Sequence, residues 1–294
     1  RIGKTSMLKR LYRTPFVGLM ALATVFIIVP LNHTILIGLE NLAGKENQYT
    51  VGILFGLMGL AIIYYAAARN TEALGTWLGF IGAHMMFIGW IEFGIKFNAA
   101  DLQKVAGSDN HIPIQLLFYQ GSVGLLLAVA PFFFFNKDSK CNFFRWFHRV
   151  FRMNLGKPNP AQGRNYCLIT MMETVYVQWT FYVISLFLVD ARFLGATHPI
   201  TIALVSLGGL WAFYLAIRLS RFTRVLAAVR YAIPVATIYW TITEIASFWG
   251  FFEEIWLKPG DYALEMAGVA LVFVAVGAAT LLSPVSTKAP DQTT

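Results

Sequence analysis

The stretch Asn136–Arg164, NKDSKCNFFRWFHRVFRMNLGKPNPAQGR, is the longest polar interruption in an otherwise apolar chain. It falls near the middle of the 294 residues, and the hydropathy before it looks like the hydropathy after it. Phe143, Phe144, Trp146, Phe147, Val150 and Phe151 alternate with Arg145, His148, Arg149 and Arg152. On a helix these residues make one apolar face and one basic face. Such a helix lies in the membrane interface, with its rings among acyl chains and its arginines at anionic headgroups. Phe143, Arg145, Trp146, Arg149 and Arg152 are the expected interfacial anchor, with membrane lipid as the expected partner. Docking of a protein partner is the alternative use of the same face. Gly156, Pro158 and Pro160 are expected to end the helix.

Composition supports a membrane setting on both sides of this linker. The chain is 57% hydrophobic and 13% charged, against about 25% charged in soluble domains. Apolar runs recur at the length of roughly 20 residues that one helical crossing requires. Eight spans are expected, at roughly 15–38, 50–68, 73–96, 112–135, 165–189, 199–218, 228–252 and 263–283. The net charge of +8 does not imply nucleic acid, because the basic residues gather at helix ends. With the N-terminus inside, 18 of the 23 Lys and Arg fall on the inner side. Only Lys45, Lys96, Lys104, Arg192 and Lys258 fall outside, as the positive-inside rule requires. The expectation is an all-α integral protein of a bacterial inner membrane with both termini cytoplasmic. The start at Arg1 reads as a trimmed chain, and the first apolar stretch as a retained helix.

The two halves also match each other in sequence. A shift of 150 places Thr24-Val25-Phe26 on Thr174-Val175-Tyr176, Glu40 on Asp190 and Gly59-Leu60 on Gly209-Leu210. A shift of 161 then places FIGWIE (87–92) on FWGFFE (248–253). This predicts two parallel four-helix repeats, residues 1–135 and 165–294, joined by the linker 136–164.

Ionisable groups within membrane helices are costly and are the first candidates for function. Glu92, Glu173, Glu244, Glu253 and Glu254 are candidates for an ion or proton path, since no Lys or Arg lies at comparable depth to neutralise them. His33 and His84 are candidates for haem or ligand contact from two adjacent helices. No cofactor or metal is expected. HxxxH and HxxH clusters are absent, and so are the nucleotide and serine-hydrolase motifs. Cys141 and Cys167 form no CxxC pair. Asn32-His33-Thr34 matches a glycosylation acceptor but lies inside a span.

Three short stretches resemble pieces of the emopamil-binding, sterol-isomerase group. They are His84-Met-Met-Phe-Ile-Gly-Trp90, Met172-Glu173-Thr174, and Phe248-Trp249 with Glu253-Glu254-Ile-Trp256. The resemblance implies that a His and a Glu move a proton at a sterol double bond. This chain departs from that pattern at Ile88, where an acid is expected, and in having an extra helix between the first two motifs.

Three functions follow as alternatives. The leading one is an integral subunit of a larger membrane complex, packing against partner helices and apolar ligands. The second is a secondary transporter or a proton- or cation-conducting protein using intramembrane carboxylates. The third is a membrane-embedded lipid- or isoprenoid-modifying enzyme with Glu173, Glu244 or His84 as proton carriers. No nucleophile or metal motif favours catalysis, so the leading reading is a protein without it.

Overall fold

The computed structural model describes residues 12–69, 71–96, 121–135, 142–154 and 164–281. Among them the regular structure is helical throughout. The helices are α1 (Phe16–Ala43), α2 (Gln48–Arg69), α3 (Glu72–Met86, continued by a π-helical segment Phe87–Glu92), α4 (Val123–Phe134) and α5 (Asn142–Val150). They continue with α6 (Tyr166–Val189), α7 (Pro199–Leu219), α8 (Val225–Phe248) and α9 (Ala263–Leu281). Local chemistry sets several of the boundaries. The Thr71 hydroxyl accepts the Leu74 N–H at the start of α3, and Asn165 Oδ1 accepts the Leu168 N–H at the start of α6. Gly44, at φ +88°, follows the end of α1 in a conformation that favours glycine.

Six helical segments among the described residues are long and apolar enough to cross a membrane. They are Phe16–Ala43, Lys45–Arg69, Glu72–Lys96, Tyr166–Val189, Pro199–Leu219 and Val225–Phe248. The chain is therefore a helical, largely apolar multi-span fold of the kind found in integral membrane proteins.

The expectation of eight spans in two four-helix repeats is corrected. α4 has 12 residues, or about 18 Å of helix against the ~30 Å of a hydrocarbon core. The first part of the expected fourth span, 112–120, lies outside the described residues. The apolar stretch of the last helix, Ala263–Ala279, is also shorter than a full crossing. Beyond Leu281 the chain lies outside the described residues. The aligned motifs differ too: FIGWIE is π-helical, whereas FWGFFE runs off the end of α8, with Gly250 at φ +75°. Equal letters at those positions do not have equal conformations.

The described chain divides into two compact units, a terminal one (Arg1–Ile35 with Pro199–Thr294) and a central one (Leu36–His198). In the central unit, α2 and α3 pack antiparallel through glycines. A Cβ on Gly59 would come within 2.6 Å of the Gly82 carbonyl oxygen, and one on Gly82 as close to the Gly59 oxygen. One on Gly89 would stand 2.7 Å from the Gly52 oxygen. Gly56 leaves the space taken by the Trp90 indole, whose Nε1 donates to the Ile53 carbonyl at 3.1 Å. Lipid tails are as apolar as leucine, so helices in a bilayer associate through close backbone packing at small residues. Gly52–Gly56 and Gly75–Gly79 both have GxxxG spacing.

In the terminal unit α8 is the most enclosed helix, with Ala228, Val229, Ala232 and Val235 fully buried. Gly18 of α1 sits directly on the Leu219 carbonyl at the end of α7. α7 is exposed over most of its length, with Ile200, Leu207, Leu210, Phe213 and Tyr214 each more than half exposed.

The linker helix forms as α5 but ends earlier than expected. Met153 N–H donates to the His148 carbonyl at 2.8 Å and Arg152 N–H to Arg149 at 3.2 Å. This is a Schellman end with Arg152 in the left-handed position at φ +51°, where glycine is usual. Gly156, Pro158 and Pro160 lie outside the described residues. Arg145, Trp146, Arg149 and Arg152 are exposed. Phe143 belongs to α5, and its side chain is outside the described set.

Candidate functional site

The central unit places polar side chains where its own packing excludes water. Gly75 and Gly79 of α3 let α6 approach, since a Cβ there would stand 2.7 and 2.8 Å from the Cys167 backbone. Farther along, His84 meets Gln178, and the Phe87 ring meets Tyr182 edge-on at 6.2 Å. Both sets of contacts ascend together, so α3 and α6 run parallel. His84 is 1% exposed and Gln178 8%.

The Gln178 amide Nε2 donates to His84 Nδ1. An amide nitrogen has no acceptor capacity, so Nδ1 is the acceptor and the neutral ring carries its proton on Nε2. Phe80 stands against the imidazole at 5.9 Å. Thr170, Thr174 and Gln178, four residues apart, share one face of α6; Trp77 and His84, seven apart, share one face of α3. Thr174 Oγ1 donates to the Thr170 carbonyl at 2.7 Å. The Trp77 indole N–H, Thr170 Oγ1 and Gln178 Oε1 are buried and make no hydrogen bond among the described residues. Each such atom costs about 1–3 kcal/mol. The π-helical segment begins at Phe87, one turn beyond His84; π-bulges inside α-helices recur at functional sites.

The terminal unit has a second polar cluster with a different character. His33 is buried, donates from Nδ1 to the Val29 carbonyl at 2.9 Å, and stacks near Trp240 at 6.4 Å between centroids. The Trp240 indole donates to Glu244 at 2.8 Å and packs on Trp256 at 4.8 Å. Ser247 donates to Glu254 at 2.9 Å. Glu253 is exposed and takes hydrogen bonds from Lys258 at 3.2 Å and Tyr262 at 3.1 Å. Lys258 and Tyr262 hold the Glu253 carboxyl below its usual range, and the carboxylate in turn raises Lys258 and Tyr262.

The candidates from sequence thus separate into two sets. His33, Glu244, Glu253 and Glu254 belong to the terminal unit, and each has a named partner there. His84, Glu92 and Glu173 belong to the central unit, with Glu92 and Glu173 half-buried. Sequence reasoning missed Gln178, which is the direct partner of His84. Its signal was a lone amide inside the apolar run Val175–Val183, a neutral group that the cost of burying charge does not single out. Among the described residues no three His, Cys, Asp or Glu side chains come together in a way that would hold a metal.

No protein-family model, no curated protein and no solved structure matches this chain.

Proposed function

We propose that this membrane protein handles protons within the bilayer, with His84 as the carrier and Gln178 as its gate. The observation behind this reading is the buried His84–Gln178 pair, set in apolar helices beside polar atoms that its surroundings leave unsatisfied. A histidine alternates between neutral and charged forms near physiological pH. With the ring neutral, Gln178 donates to Nδ1. A proton arriving at Nδ1 turns that nitrogen into a donor, and the amide rotates to accept it through Oε1. Loss of the Nε2 proton on the other side leaves a neutral ring with its proton on Nδ1. A flip of the imidazole ring then carries the protonated nitrogen to the exit side and the bare one back to Gln178, and rotation of the amide completes the cycle with one proton moved. Half-buried Glu173 on α6 is the proposed second relay group.

Purified protein in liposomes containing a pH-sensitive dye tests this under a potassium diffusion potential. Wild type is expected to acidify or alkalinise the lumen at a rate that follows the imposed potential. His84→Gln is expected to slow this flux about tenfold or more, in the range that positioned proton-transfer groups contribute. Unchanged flux in a monodisperse His84→Gln protein, or no flux above protein-free liposomes in wild type, overturns the reading.

A second reading is supported by the outward face of α7. Leu207, Leu210 and Phe213 are each at least 60% exposed, and a Cβ on Gly208 would meet nothing within 4 Å. That face suits partner helices, as in an integral subunit of a larger membrane complex. Mass measurement after gentle extraction from native membranes tests it: co-purifying chains support it, and a lone species rejects it.

A further inference from the structure

The turn between α7 and α8 gathers three arginines around one cleft. Arg218, Arg221, Phe222, Thr223, Arg224 and Ala227 line about 470 Å³ of space, and all three arginines are exposed. No acidic residue occurs between Asp190 and Glu244, so α7 and the first five turns of α8 carry no carboxylate. α8 starts in the same cleft, has no acid in its first turn, and receives no side-chain cap from Arg224. Its first backbone N–H groups and its dipole add to the positive field.

The cleft also continues into an apolar track. Leu210, Tyr214 and Ile217 are 67%, 54% and 41% exposed. They are spaced by four and three residues, so they form one stripe on α7 that leads to Arg218 and Arg221. The Arg218 guanidinium lies 6.0 Å from the Tyr214 ring centroid, at the junction of stripe and cleft. An apolar stripe about two turns long that ends in a basic cleft matches an amphiphile with one charged end. α7 is long and apolar enough to cross a membrane, so the stripe faces acyl chains and the cleft lies at headgroup level.

We propose that this cleft is a binding site for the phosphate of an anionic phospholipid, with the lipid's acyl chain along Leu210, Tyr214 and Ile217. Guanidinium groups suit this role because their forked donors match phosphate oxygens two at a time. The site is separate from the His84–Gln178 pair and does not depend on proton handling.

Native mass spectrometry of the purified protein, exchanged into mixed micelles with phosphatidylglycerol or phosphatidylcholine, tests the proposal. Wild type is expected to retain phosphatidylglycerol in preference to phosphatidylcholine. Each arginine near a membrane surface contributes about a fivefold factor, so the triple variant R218Q/R221Q/R224Q is expected to lose on the order of 100-fold in retention. The triple Arg→Lys variant should recover only part of it, because charge returns without the fork. K45Q/R69Q, which removes two exposed cations that do not line the cleft, serves as the comparison for general charge and should retain the lipid as wild type does. Equal retention of both lipids overturns the proposal, as does an equal loss in K45Q/R69Q. Competition by millimolar inorganic phosphate or glycerol phosphate as strong as that by the lipid would assign the cleft to a soluble phosphate and overturn the lipid source. A triple variant that elutes as aggregate is replaced by the single R221Q, for which the expected loss is about fivefold.

Discussion

The central and terminal units are both helical and apolar, yet they are joined by opposite means. The central unit draws α2, α3 and α6 together through glycines that bring backbone to backbone. Its buried polar atoms include three, on Trp77, Thr170 and Gln178, without a hydrogen bond among the described residues. The terminal unit, apart from Gly18 against the Leu219 carbonyl, packs around rings, with Trp240 between Phe26 and Trp256, and each candidate carboxylate there accepts a hydrogen bond from Trp240, Ser247, Lys258 or Tyr262. Those carboxylates are accounted for by structure alone, although Asn32 Nδ2 of the same unit is buried without a hydrogen bond among the described residues. Unsatisfied polar atoms in a closely packed seam carry a cost that stability does not explain, which is why the proton-handling proposal rests on the central unit.

The largest expected effect tests the packing difference. Gly82→Leu places a side chain where even a Cβ meets the Gly59 carbonyl oxygen at 2.6 Å and the Ile63 side chain at 2.8 Å. It should destabilise the fold by about 3 kcal/mol or more. Gly209→Leu on α7, where the nearest atom to a Cβ is Ile242 Cδ1 at 3.8 Å, should be neutral or stabilise by up to about 1 kcal/mol. Unfolding midpoints in detergent check both, and equal losses would erase the distinction between the units.

The next effect separates stability from function. Replacing both members of the buried pair, as in His84→Leu with Gln178→Leu, should change stability by less than about 1.5 kcal/mol, because matched polar partners removed together leave little deficit. Flux in liposomes should nonetheless disappear. Trp240→Phe should behave in the reverse way: it removes the indole donor from Glu244 at a cost of about 1–2 kcal/mol and leaves flux at the wild-type rate. Loss of flux in both proteins would mean that flux reports only integrity of the fold.

The smallest effect is a pH dependence. Glu253 has a lowered folded pKa, so its contribution to stability is present above the ordinary carboxylate value and is lost as pH falls through the folded one. Lys258 has a raised folded pKa, so its contribution is present below the ordinary lysine value and is lost as pH rises through the folded one. The loop should therefore hold best from mildly acidic to mildly alkaline pH. Amide exchange at Ile255 to Lys258 should show a shallow plateau across that window, and Glu253→Gln should remove its acid edge. The group is solvent-exposed, so the amplitude should be small and should fall with salt.

Much of the architecture was legible from the chain. Six of the expected spans coincide with observed helices to within a few residues, because a run of apolar residues about 20 long has few alternatives in a bilayer. The amphipathic linker reads directly from its alternation of Arg and Phe. The eight-span count and the repeats were not legible, since letters shared between apolar helices carry little information about helix length or conformation. His84 was visible as a candidate, but Gln178 was not, because the two are 94 residues apart in sequence.

By itself the sequence determined that this chain is helical, apolar and basic at its helix ends, since those properties follow from composition and local period. It also determined which residues bear charge within the apolar runs. Only the tertiary structure decided which of them find partners. Helix approach set by glycines at 75, 79 and 82 brings α3 to its neighbours α2 and α6, and His84 to Gln178. Hydrogen-bond pairing between distant helices depends on rotation and depth to within an ångström, and a periodic pattern along one helix does not encode either.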